Sequence, residues 1–171
     1  LNSPKGRANQ MNHGAANASS EILWFVHCDS QLPRDAHEQI SRAVEQGALW
    51  GCFHIGFDYN GPFMDFNTHF SNRRAGKGIA FGDQGIWIKK DVFESMGGFP
   101  ELPIMEDYEF SMRMKETGIP ICQLPGTITT SGRRYMGKFP PLTMWQMFYL
   151  RRLYRRGTDI HEIARRYQDI R

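Results

Sequence analysis

Glu106 and Asp107 form an acidic pair at the start of a helical segment, delivered there by a proline-punctuated loop, Phe99 to Met105. The helix macrodipole favours carboxylates at that end. It keeps them ionised at neutral pH, as a general base must be. Asp29 follows the apolar run Ile22 to Cys28 and is a hard oxygen ligand suited to Mg²⁺ or Mn²⁺. On a strand, positions i and i+2 point the same way, so His27 and Asp29 face one site. Gly82-Asp83-Gln84-Gly85 is a loop that lets backbone come close to a ligand, with Asp83 and Gln84 offering acceptors and donors to hydroxyls. Arg133 and Arg134 follow the last apolar strand and suit bidentate phosphate contacts. Arg7, Gln10 and Asn12 lie near the N-terminal end of a helix, where a phosphate or carboxylate is readily held. Each feature has a plainer alternative. Asp107 serves equally as a helix cap and Glu106 as a surface charge. His27 reads also as a strand-end histidine, Asp83 as a residue bonding its own turn, and the arginines as a solvated loop.

The elements that must position these groups alternate between strand and helix. Ala8 to Ser20 reads as a helix whose Gly14-Ala15-Ala16 allows close packing on a sheet. Ile22 to Cys28 is nearly all apolar, as a strand covered on both faces is. Ligands in open α/β sheets gather at the carboxyl ends of strands, which is where Asp29 falls. A helix follows over Arg34 to Gln46, then a strand over Leu49 to Asp58 and a turn at Asn60-Gly61-Pro62. Phe63 to Arg74 carries Phe63, Phe66 and Phe70 at helical spacing, which reads as a helix packing its apolar face. Residues 73–78 read as a mobile basic loop. Ile86 to Ile88 is a short strand, and Asp91 caps a helix over Val92 to Met96 that Gly97-Gly98 ends. Beyond the Glu106 helix, which runs to about Thr117, come strands over Ile119 to Leu124 and Thr127 to Ser131. Helices over Pro140 to Arg156 and Asp159 to Arg171 finish the chain.

The 171 residues suggest one domain, and 40% apolar content is enough for a core. Cys28, Cys52 and Cys122 sit singly, with no Cys-x-x-Cys, and read as reduced, buried thiols of a cytoplasmic protein. No apolar run has the length of a membrane span. Net charge is +3, but residues 133–171 hold ten Lys/Arg against three Asp/Glu. The basic surplus therefore belongs to the C-terminal helices.

The order of Gly-Asp-Gln-Gly loop, strand, Gly-Gly-Phe turn and Glu-Asp helix start over residues 82–109 resembles the acceptor-side half of a family 2 glycosyltransferase. The run Gly6 to Ala15 is similar to the helix before that family's metal-binding strand. The likeness covers nearly the whole chain. The ending, with the His-x-Asp strand end, is similar to a bacterial subgroup that includes enzymes named for arsenosugar biosynthesis. The resemblance implies a GT-A fold: α/β, a mixed sheet flanked by helices, lacking its N-terminal nucleotide-binding strands. Residues 1–139 would be an incomplete catalytic domain, and 140–171 basic amphipathic helices packed on it or extending from it. It implies an inverting transferase that moves a sugar from a nucleotide-diphosphate donor to the hydroxyl of a glycan, lipid or small molecule. Asp107 and Glu106 would be catalytic. Asp29, with His27 in place of the family's first carboxylate, would hold a divalent metal. Arg7, Asn12, Asp83, Gln84, Arg133 and Arg134 would bind donor or acceptor. The family's nucleotide-binding half is not in this sequence, so the chain reads as a piece of a longer protein, or as one completed by another copy of itself.

Two other classes compete. Asp159 to Tyr167 looks like the first helix of a helix-turn-helix, but no recognition helix follows, so no nucleic-acid partner is expected. Met144 to Arg152 mixes aromatics with arginines, as interfacial helices do, which suits a protein peripheral at the inner face of a membrane.

Overall fold

Runs of branched and aromatic residues pair into one sheet, and the stretches between them wind into helices. The structure, a computed structural model, describes residues 2–135 and 139–170, without the side chains of Arg134 and of residues 168–170. The strands are β1 (Ile22–Trp24), β2 (Trp50–Phe57), β3 (Trp87–Lys89) and β4 (Cys122–Thr130). Their order across the sheet is β1-β3-β2-β4. β3 is antiparallel to both neighbours, and β2 runs parallel to β4. Three strands thus share one direction and β3 opposes them. The helices are α1 (Arg7–Asn17), α2 (Ala36–Glu45), α3 (Pro62–Ala75), α4 (Lys90–Ser95), α5 (Glu106–Glu116), α6 (Pro140–Arg155) and α7 (Ile160–Ile170). The protein is mixed α/β, a four-stranded mixed sheet flanked by helices.

The period of two along each strand divides the core. Ile86 and Ile88 turn to one face, where Trp50, Cys52 and Leu23 meet α1, α4 and α5 through Ala8, Ala15, Phe93, Phe110 and Met114. Trp87 turns to the other, where Phe53, Leu124 and Ile128 meet Ala36, Ile40 and Ala43 of α2. Phe110 is fully buried in a cluster with Phe93 and Phe99, a burial that contributes about 2 kcal/mol. Helices α6 and α7 pack on the start of α5 and the loop before it, through Leu150 and Ile163 against Ile104, Met105 and Tyr108. No helix among the described residues is long and apolar enough to cross a membrane.

Several expectations from sequence are corrected. β1 ends at Trp24, and His27 to Ser30 form a turn closed by the Ser30 N–H on the His27 carbonyl. His27 and Asp29 therefore do not project from a strand. The two strands expected over 119–131 are one, because β4 absorbs Pro125-Gly126 as a bulge between the Phe53–Leu124 and His54–Thr127 pairs. Helix α3 continues through Arg74 to Ala75, where a mobile loop was expected. Arg74 is held there by its Nε–H on the Ile79 carbonyl and its Nη2–H on Gln84 Oε1. The same helix buries Met64 and Asn67, while Phe66 and Phe70 face outward, against the expectation of a packed aromatic face. Of the thiols, Cys52 is buried but Cys28 is exposed.

Candidate functional site

The strand directions decide where side chains with chemistry collect. β1, β2 and β4 end along the same edge of the sheet at which β3 begins. The His27–Asp29 turn, the 3₁₀ turn Gly82–Gln84 before β3 and the 3₁₀ turn Gly132–Tyr135 after β4 therefore lie along one edge. After β1 the chain crosses this edge, and Gln31 pairs with Thr129 of β4 on the far side. That crossing brings Asp29 to Arg133.

A small crevice opens between these turns and the start of α5. It is lined by Met11, Phe25, His27, Gly82, Glu106 and Asp107, among others. Asp107 is the second residue of α5. It is not the cap, a position taken by Met105 in a left-handed conformation with φ 70°. Such a conformation costs a non-glycine residue about 1 kcal/mol and is held by the surrounding packing. Asp107 Oδ1 accepts the Tyr108 N–H at 2.7 Å, and Oδ2 accepts the Gly82 N–H at 2.8 Å. A Cβ added at Gly82 would lie 2.9 Å from His27 Nε2 and 3.4 Å from Asp107 Oδ2. Glycine at 82 is what lets the histidine, the backbone amide and the carboxylate converge.

Glu106, the first residue of α5 and a neighbour of Asp107 in the crevice lining, is only 2% exposed. Its Oε1 meets Arg7 Nε at 2.8 Å, while its Oε2 is buried with no hydrogen-bond partner among the described residues. Burial raises the Glu106 carboxyl above the usual range, Asp107 adds to the rise, and Arg7 opposes it. For Arg7, burial alone would lower the pKa, but Glu106 and Asp107 outweigh it and hold the group above its ordinary value. A perturbed, underused carboxylate in a crevice is a pointer to function.

Asp29 has different surroundings. It is 40% exposed and its Oδ2 stands 3.5 Å from Arg133 Nη2, itself 73% exposed. His27 lines the crevice with Asp107, and Asp29 does not. No group of three His, Cys, Asp or Glu able to hold a metal ion occurs among the described residues. One exposed carboxylate does not make an all-protein cage. It does fit the Mg²⁺ mode in which one or two carboxylates are completed by water and substrate phosphates.

The other anticipated residues divide. Asn12 spends its amide on the Phe99 backbone, donating to its carbonyl at 2.8 Å and accepting its N–H at 2.9 Å. It thereby fixes the turn that leads to the acidic pair. Gln84 is fully buried and takes the Arg74 guanidinium and the Phe81 N–H on its Oε1. Asp83 lies close enough to Arg74 to favour its charge. The side chain of Arg134 lies outside the described residues. Arg74 itself escaped sequence reasoning, which set it in a basic loop. It lies over the Phe81 ring at 3.5 Å and its pKa falls to about 10 through burial, so it stays charged.

No family model and no curated protein matches the chain.

Proposed function

We propose that this chain carries the acceptor-activating half of an inverting glycosyltransferase of GT-A type, with Asp107 as general base. The supporting observation is Asp107 itself: a carboxylate fixed by the Gly82 amide at 2.8 Å, beside His27, in a crevice lined by a buried glutamate. Asp107 takes the proton of an acceptor hydroxyl. That oxygen forms its bond to the anomeric carbon of the donor as the bond from that carbon to the diphosphate oxygen breaks, and the diphosphate leaves with the electron pair. Because attack and departure are in line, the sugar inverts. Glu106, locked by Arg7, holds the start of α5 and turns its remaining oxygen toward the acceptor. Arg133 leaves Asp29 to meet the diphosphate, which bidentate guanidinium geometry suits. A divalent ion held by Asp29 would neutralise the leaving group.

Calorimetry on the full-length protein tests the donor half of this reading. Mn²⁺ and a nucleoside diphosphate should bind together, and Asp29→Ala should abolish that binding. Equal binding by the variant would reject the assignment of Asp29.

A further inference from the structure

We propose that α3 and α6 together form a docking surface for an anionic lipid bilayer. Helix α6 has two apolar faces. One buries Thr143 and Leu150 and packs Met147, Leu153 and Tyr154 against the α5–α7 cluster. The other leaves Leu142 at 51%, Trp145 at 58% and Phe148 at 49% exposure, with Trp145 stacked on Tyr149 at 5.5 Å. Helix α3, which touches α6, does the same. It turns Met64 and Asn67 inward and leaves Phe66 and Phe70, packed on each other at 4.4 Å, about half exposed.

The charge around these rings selects the occupant. Arg73 lies in the last turn of α3, Arg152 and Arg155 lie in the last turn of α6, and Arg156 caps it, all exposed. Residues 133–171 carry ten Lys/Arg against three Asp/Glu. Aromatic rings with arginines at their margin match the lipid interface, where rings enter the headgroup boundary and guanidinium groups meet anionic phosphates. A second copy of the chain would bring like charge to the same face. Tyr135 ties this surface to the site edge: its hydroxyl accepts the Asn67 amide of α3, and it ends the turn that carries Arg133. The surface does not depend on the transferase reading.

Sedimentation with phosphatidylcholine vesicles, with and without phosphatidylglycerol, tests it without any activity assay. The full chain should pellet with the anionic vesicles and be released by salt. Trp50 and Trp87 are fully buried and Trp24 is partly so, which makes Trp145 the tryptophan open to acrylamide. Anionic vesicles should shield it. Phe66→Ser with Phe70→Ser, and separately Trp145→Ser with Phe148→Ser, should each weaken partitioning at least about tenfold with an unchanged melting temperature. The proposal is overturned if the chain stays in the supernatant, if Trp145 remains quenchable on vesicles, or if either variant partitions like wild type. Light scattering that finds a dimer dispersed by these substitutions would assign the face to a second copy and also overturn it.

Discussion

Two arginine–carboxylate pairs lie along the same edge of the sheet and differ in almost every physical respect. Glu106 is 2% exposed and meets Arg7 at 2.8 Å, while Asp29 is 40% exposed and stands 3.5 Å from an Arg133 that is mostly in water. A buried carboxylate cannot lose its cation without a large penalty. An exposed pair contributes about 0–1 kcal/mol and opens readily. One pair is thus fixed beside Asp107 at the start of α5, and the other is exchangeable. The proposed transferase, which must hold a base still while admitting a charged ligand, would use both kinds.

The largest expected effect that separates the two is on stability. Arg7→Ala should cost about 2 kcal/mol in urea unfolding at pH 7, below the full cost of breaking a buried pair because Arg7 is half exposed. The loss should shrink at acid pH, where Glu106 takes a proton. Equal losses for Arg7→Ala and Arg133→Ala would break the comparison. Gly82→Ala comes next, at about 1 kcal/mol, since the new Cβ must move His27 or Asp107. Its signature is a changed His27 ring resonance in the NMR spectrum; an unmoved resonance would mean that the crevice yields elsewhere.

Glu106→Gln sharpens the picture through pH. The folded-state pKa of Glu106 is raised, so its proton is held by the native chain and released by the unfolded one. The resulting stability is fully present below the ordinary Glu value of about 4.3 and is lost as pH rises through the raised folded value. In the variant, the melting temperature should fall less over that window than in wild type. Parallel profiles would contradict the buried position of Glu106. Smallest of all, Arg133→Ala should change stability by no more than about 0.5 kcal/mol.

Sequence patterns revealed the fold class and the acidic pair because both are local. The alternation of apolar runs with helical stretches reads out the layers, and Gly97-Gly98 followed by prolines reads out the turn before Glu106. What escaped depends on contacts distant in sequence. The bulge at Pro125-Gly126 is set by pairing with β2, and the Gly126 N–H finds Gln39 of α2. The outward turn of Phe66 and Phe70 follows from which face of α3 meets β2, where Asn72 bonds both backbone groups of Ile55. Periodicity gave the stripe but not the side that was buried. The meeting of Arg7 with Glu106 joins residues 99 positions apart, and nothing in either segment announces it.

The central claim is that Asp107 removes a proton in the transition state, and one variant tests it most directly. Asp107→Asn keeps an oxygen for the Gly82 amide but loses the acceptor for the Tyr108 amide and the basic carboxylate. Turnover of a nucleotide-sugar donor and melting temperature are measured on the same full-length preparation. The account predicts a stability loss of about 1 kcal/mol from the one lost acceptor, retained donor affinity and a rate lower by about two or more orders of magnitude. A destabilised variant with full specific activity would contradict it, leaving Asp107 as a residue that only stabilises the first turn of α5.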